Sequence, residues 1–191
     1  MIKLSPCQLV MLTGILLSPS AFATDINVDF TATVKATTCN IKLKGNNVTD
    51  NGNDNYTLKI PKMGLEQIVN KTAAAQSDFT LAASGCSAGI SAIDTTLSGG
   101  EVSGTNKLLI IPNKTDSTST TSFIGMGFKR RNADDSSFLK PDNTAKIRWS
   151  AAEISETGPG LEMTVALRET TTGQGVPGKF RALATFNFSY Q

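Results

Sequence analysis

From residue 179 onward the chain alternates without a break: Phe180, Ala182, Ala184, Phe186, Phe188 and Tyr190 occupy every second position, and Lys179, Arg181, Leu183, Thr185, Asn187 and Ser189 lie between them. Successive side chains of a strand point to opposite faces, so this spacing gives a strand with one wholly apolar face and one mostly polar face. Such a strand covers a core from one side only. The remainder of the chain must therefore supply a sheet for that face to pack against.

The same period recurs upstream. Ile26, Val28, Phe30, Ala32 and Val34 alternate with Asn27, Asp29, Thr31, Thr33 and Lys35, and Tyr56 to Ile60 alternates until Pro61 ends it. Further strands are expected at Phe79 to Ala83, Ile90 to Leu97, Lys107 to Ile111, Phe123 to Lys129, Ala145 to Ser150 and Leu161 to Arg168. Asn46 to Asn55 reads as a Gly/Asn/Asp loop and Asn113 to Ser122 as an exposed Ser/Thr/Asp connection. Leu65, Ile68, Val69 and Thr72 fall near helical spacing, which allows a short helix within Leu65 to Gln76. Many short strands joined by polar turns point to an all-β domain, a sandwich in preference to a barrel.

Composition narrows the chemistry. The 191 residues contain no histidine, which removes the commonest general base and the commonest zinc ligand. No acidic pair stands out, with Asp142, Glu153 and Glu156 reading as turn and surface positions, so no enzymatic site is expected. No cofactor or metal site is expected either. Charged residues are 18% of the chain and the net charge is +2, too balanced for a nucleic-acid binder. The one tight basic cluster, Lys129-Arg130-Arg131, is followed by Asp134-Asp135 and reads as a solvated turn.

The first 23 residues read as a secretory signal peptide. Lys3 precedes the apolar run from Leu9 to Leu17, and Ala21-Phe22-Ala23 offers a cleavage site. The run is too short for a transmembrane helix. With Cys7 removed alongside it, Cys39 and Cys86 remain, and two cysteines in an exported protein are expected to pair. A bridge over so long a loop removes denatured-state entropy worth roughly 4 kcal/mol.

Four features together resemble the subunits of chaperone–usher pili, the type 1 and P pilin family. They are the signal peptide, the alternating arm leading into Ala36-Thr37-Thr38-Cys39-Asn40, the second cysteine closing Asp78 to Cys86, and the C-terminal pattern. In that family a glycine stands fourteenth from the end and a tyrosine is penultimate, the places of Gly178 and Tyr190 here. Ala32 departs from the pattern, because the family usually has glycine at that point of the arm.

The resemblance implies an incomplete immunoglobulin-like β-sandwich, the pilin fold, lacking its final strand and carrying an N-terminal donor-strand arm. It divides the chain into a signal peptide at 1–23, a donor-strand extension at 24–35 and a pilin domain at 36–191. A final strand with nothing after it to pair with leaves unpaired backbone groups and exposed apolar area. The family covers them with a strand lent by a periplasmic chaperone and then with the arm of the next subunit. On this resemblance Ile26, Val28, Phe30, Ala32 and Val34 are the donor residues. Gly178, Phe180, Ala182, Ala184, Phe186, Phe188 and Tyr190 line the groove and dock the chaperone. The implied partners are identical or related pilin subunits, the chaperone and an outer-membrane usher, with no nucleic acid. The implied destination is a surface fimbrium of a Gram-negative bacterium, reached through the periplasm, with the chain a repeated shaft subunit. The alternatives are a minor or adaptor pilin and a secreted carbohydrate-binding sandwich.

Overall fold

The computed structural model describes residues 39–191 and the backbone of Val28–Thr31. The expected signal peptide and the arm residues Ile26, Ala32 and Val34 lie outside the described residues. In chain order the strands are β1 (Val28–Thr31), β2 (Asn40–Lys44), β3 (Val48–Gly52), β4 (Asn55–Leu58), β5 (Gln76–Ser84), β6 (Ile93–Ser98), β7 (Glu101–Val102) and β8 (Ile110–Ile111). They continue with β9 (Ile124–Arg130), β10 (Ile147–Arg148), β11 (Leu161–Glu169) and β12 (Thr185–Tyr190). Two short helices, α1 (Leu65–Val69) and α2 (Ala151–Ile154), join them.

All strand pairings among the described residues are antiparallel. One sheet runs β2-β5-β11-β9-β8-β7, a second β10-β6-β12 and a third β1-β4-β3. Alternation in the sequence becomes alternation of burial: Ile41 and Leu43 of β2 face inward between exposed Asn40, Lys42 and Lys44, and Phe79, Leu81 and Ala83 do the same in β5. These residues join Leu58, Leu97, Phe128, Met163, Val165 and Phe186 in one core, so the sheets face each other as a sandwich. The all-β expectation and the preference for a sandwich hold.

Cys39 and Cys86 are bonded, with Cα atoms 4.0 Å apart. They tie the start of β2 to the end of β5, beside the Asn40–Ser84 pair of the ladder.

Several local expectations are corrected. The segment read as a loop, Asn46 to Asn55, contains β3, which forms a hairpin with β4. Asn53 and Asp54 both have positive φ, 53° and 58°, the conformation that turns a tight hairpin in keeping with strand twist. Gly52, at φ 82°, absorbs a register shift beside it. The possible helix reaches only Val69, because Lys71 turns to φ 54°, and a 3₁₀ turn at Ala73–Ala75 follows.

Only the end of Lys129-Arg130-Arg131 is a solvated turn: Lys129 and Arg130 close β9, and Arg131 alone is an exposed turn residue. Lys129 is buried in β9 and bonds Asp135 at 2.8 Å, Arg130 pairs with Glu153, and Arg131 reaches Glu162 at 2.7 Å and Asp78 at 3.2 Å. The segment after β9 folds back over the outer face of the large sheet, where Arg168 of β11 also bonds Asp135 at 2.6 Å. The acidic partner Asp135, close in space, lets Lys129 and Arg168 leave water, while Arg130 and Arg131 stay partly exposed.

Candidate functional site

The C-terminal segment lies in the core along one face, as its pattern requires. Gly178, Phe180, Ala182, Ala184 and Phe186 are buried, and Phe188 and Tyr190 are half-buried. Only its second half belongs to a ladder: β12 pairs with β6, setting Phe186 opposite Leu97, Phe188 opposite Thr95 and Tyr190 opposite Ile93. Residues 179–184 keep the alternating burial but form no ladder.

What holds this first half is the connection before β9. Thr120 and Thr121 donate backbone N–H bonds to the Lys179 carbonyl at 2.8 and 3.2 Å, and the Thr120 hydroxyl accepts from the Lys179 N–H at 2.8 Å. Ser119 Oγ accepts from the Arg181 N–H at 2.9 Å and donates to the Arg181 carbonyl at 3.0 Å. The approach is close enough to require glycine at 178, since a Cβ there would lie 2.6 Å from Thr120 Oγ1 and 2.7 Å from its carbonyl carbon. The sequence marked Gly178 but gave no sign of Ser119 and Thr120, which carry no apolar pattern.

At the other end, Gln191 is tied down. Its backbone carbonyl accepts from the N–H groups of Ser91 and Ala92 at 2.7 and 3.1 Å, and its N–H donates to the Ala92 carbonyl at 3.0 Å. Its side-chain amide bridges Arg148 at 3.0 Å and Asp94 at 3.3 Å. Arg148 in turn grips Asp94 through two bonds, and their hydrogen bonds hold the Asp94 carboxyl below its ordinary pKa. Phe188 stands edge-on to Trp149, 6.3 Å between centroids, and Trp149 Nε1 donates to Thr95 Oγ1 at 2.7 Å. Burial pushes the Tyr190 hydroxyl up in pKa, and its oxygen has no hydrogen-bond partner among the described residues.

β12 stands at an end of its sheet. Beside it lies β1, which pairs with β4 in the register Val28 opposite Leu58 and Phe30 opposite Tyr56, and which also approaches β12. Tyr56 and Leu58 are buried. A cleft of about 520 Å³ separates Tyr56 and Thr57 from Arg181, Ala182 and Leu183. The site is thus a channel with β4 for one wall and the C-terminal segment for the other, and β1 is set along it. Tyr56, Leu58 and Ile60 alternate in the sequence, yet nothing in that alternation says they form the second wall.

The family model for fimbrial proteins matches residues 28–191, a span that includes β1 and both walls of the channel. The chain belongs to the fimbrial protein family. It is 69% identical, over 191 residues and the full length of both chains, to the uncharacterized fimbrial-like protein YadM of Escherichia coli (strain K12). It is also similar to the crystal structure of the P pilus rod subunit PapA, with 14% identity, 80% of this chain and 91% of that chain covered, and a TM-score of 0.48. As a fimbrial protein, it is a subunit of a cell-surface fimbrium and associates with other pilin subunits.

Proposed function

We propose that this fimbrial subunit polymerises by donor-strand exchange, as a repeated shaft subunit. Each copy inserts the arm of residues 24–35 into the channel of the next. Ile26, Val28, Phe30, Ala32 and Val34 are the donor residues. Gly178, Phe180, Ala182, Ala184, Phe186, Phe188 and Tyr190 face them from the receiving molecule.

The observation that carries this reading is the register of β1 on β4, with β12 close by at the end of its sheet. An extended segment of the arm fits the channel and meets the backbone of β4 in order. Ladder bonds do not depend on which chain supplies the strand, so a second copy's arm can take the same place. A chain that both gives and receives a strand makes head-to-tail contacts that do not close, and such contacts build filaments. That dual capacity favours a shaft position over a terminal one.

Until a neighbour arrives, the channel needs another cover, and a periplasmic chaperone supplies the strand before an outer-membrane usher exchanges it. The test is deletion of residues 24–35 from the mature chain, expressed with chaperone and usher. The shortened subunit is expected to form its disulfide and to bind the chaperone, and fibres seen by electron microscopy are expected to stop wherever it enters. Fibres of normal length overturn the mechanism.

A further inference from the structure

Adjoining the channel cleft, with Glu101, Ile111, Asn113 and Asp116 shared between the two, a second hollow of about 630 Å³ opens between β7, the connection before β9 and the end of β11. Its size is that of a small-molecule site. Two of the exposed large apolar side chains line it, Phe123 and Val102.

Phe123 is the unusual member. Its φ is 57°, a conformation that bulky residues avoid, and its side chain is 49% exposed, so burial does not repay the strain. The backbone is fixed on both sides. The Phe123 carbonyl accepts from the Thr170 N–H at 2.8 Å, and Ser122 exchanges backbone bonds with Val176. An aromatic ring held outward at positive φ by bonds on either side is strain of the kind that accumulates at binding sites.

The electrostatics of the wall select the ligand class. Glu101 is paired with Lys114 at 2.6 Å, and Asp116 with Arg181 at 3.8 Å, so the charges at the rim are answered locally. No surplus charge calls for an ionic ligand. Neutral polar groups remain. Asn113 spends its Oδ1 on Thr115, and its amide N–H groups have no partner among the described residues. Thr121 Oγ1, also in the wall, is buried without a hydrogen-bond partner. An aromatic face beside neutral donors and hydroxyls suits a ligand that has one apolar face of C–H groups and a rim of hydroxyls.

We propose that this hollow binds a neutral saccharide, with Phe123 stacking against the C–H face of a sugar ring and Asn113 donating to its hydroxyls. The proposal is separable from donor-strand exchange through Phe123 and Val102, which belong neither to the arm nor to the C-terminal segment and do not line the channel cleft, whereas Asn113 borders both hollows.

The test is saturation-transfer-difference NMR on the full mature protein, with lactose and N,N′-diacetylchitobiose as probes and a neutral oligoalanine peptide and citrate as controls. Saturation of ring C–H protons on one or both sugars is expected, and none on the controls. Phe123→Ala is expected to weaken binding about tenfold, the loss of one aromatic contact, and Phe123→Trp to retain it. Asn113→Asp keeps the acceptor used by Thr115 and removes the amide donors, so it too is expected to weaken binding in a protein that folds normally. Undiminished binding in both Phe123→Ala and Asn113→Asp overturns the proposal. So does silence from both sugars at tens of millimolar, or preferential saturation of the peptide or of citrate.

Discussion

Phe186 stands edge-on to Phe128, with ring centroids 5.2 Å apart and planes at 86°, and it lies 5.9 Å from Phe79. One side chain of β12 thereby meets two strands of the facing sheet, in the geometry aromatic rings prefer. Phe186→Ala is expected to lower the unfolding free energy by about 3–5 kcal/mol in chemical denaturation. Phe188→Ala is expected to lower it less, because Phe188 is half-buried. Phe186→Asp, which leaves a charge in the core, is expected to give a subunit degraded in the periplasm, read by its steady-state level. Equal effects at 186 and 188 would contradict this placement of the core.

Gly127 and Phe138 form a second close pair. A Cβ at 127 would stand 2.8 Å from the Phe138 ring, which lies against the outer face of β9. Gly127→Ala is expected to destabilise by about 1–3 kcal/mol, as overpacking does. In the Phe138→Leu background the same substitution should be milder, and strictly additive effects in the double-mutant cycle would deny the contact.

The bond between Cys39 and Cys86 predicts a single unreduced peptide pair in mass spectrometry of the mature protein. Replacing both by serine is expected to lower stability by about 2–5 kcal/mol. Unchanged unfolding midpoints in the variant would show that the ladder between β2 and β5 holds without the link.

Acid should loosen the segment over the outer face. Burial alone pushes the Asp135 carboxyl up, but hydrogen bonds and charges from Arg168 and Lys129 outweigh it and hold the pKa below the ordinary value. A carboxyl depressed in the folded state contributes stability that is fully present above its unfolded pKa, about 3.9, and is lost as pH falls through the folded value. Asp135→Asn is expected to reduce stability at neutral pH and to flatten the loss of stability below about pH 4, measured by denaturation across pH. An unaltered acid limb would assign that loss to other carboxylates, among them Asp94 and Glu153.

The strands legible in the sequence are those whose alternation is also their burial. Phe123 to Lys129 and Leu161 to Arg168 match their strands to within a residue, Phe79 to Ala83 falls three residues short of the start of β5, and the pairing of Cys39 with Cys86 follows from their being the two cysteines left after the expected signal peptide. β3 was hidden because Val48–Gly52 is half-exposed or exposed throughout, and a strand with no buried face has no period to read. Its turn is visible in Asn53-Asp54, but the polar, exposed residues before it make the whole segment look like a loop. α2 carried its own signal in Ser150 and Glu153, three apart, which form a reciprocal cap. The basic run misleads for a different reason: it looks solvated until the acids that answer it are located in space, and Glu153 and Glu162, the partners of Arg130 and Arg131, are far from it in sequence. The C-terminal wall of the channel was legible residue by residue, whereas its partner wall depended on where the β3–β4 hairpin lands.

β12 comes after every other strand in the chain, yet its Phe186 fills the middle of the core. Synthesis delivers the chain from its N-terminus, so Phe79 and Phe128 emerge long before the ring that covers them. Throughout that interval the inner face of the large sheet is a sticky surface, open to any apolar segment nearby. The ladder between β12 and β6 spans nearly a hundred residues of chain, a separation that slows closure relative to local hairpins. Timing therefore becomes a property of this fold: whatever shelters the chain must act before its last strand has arrived.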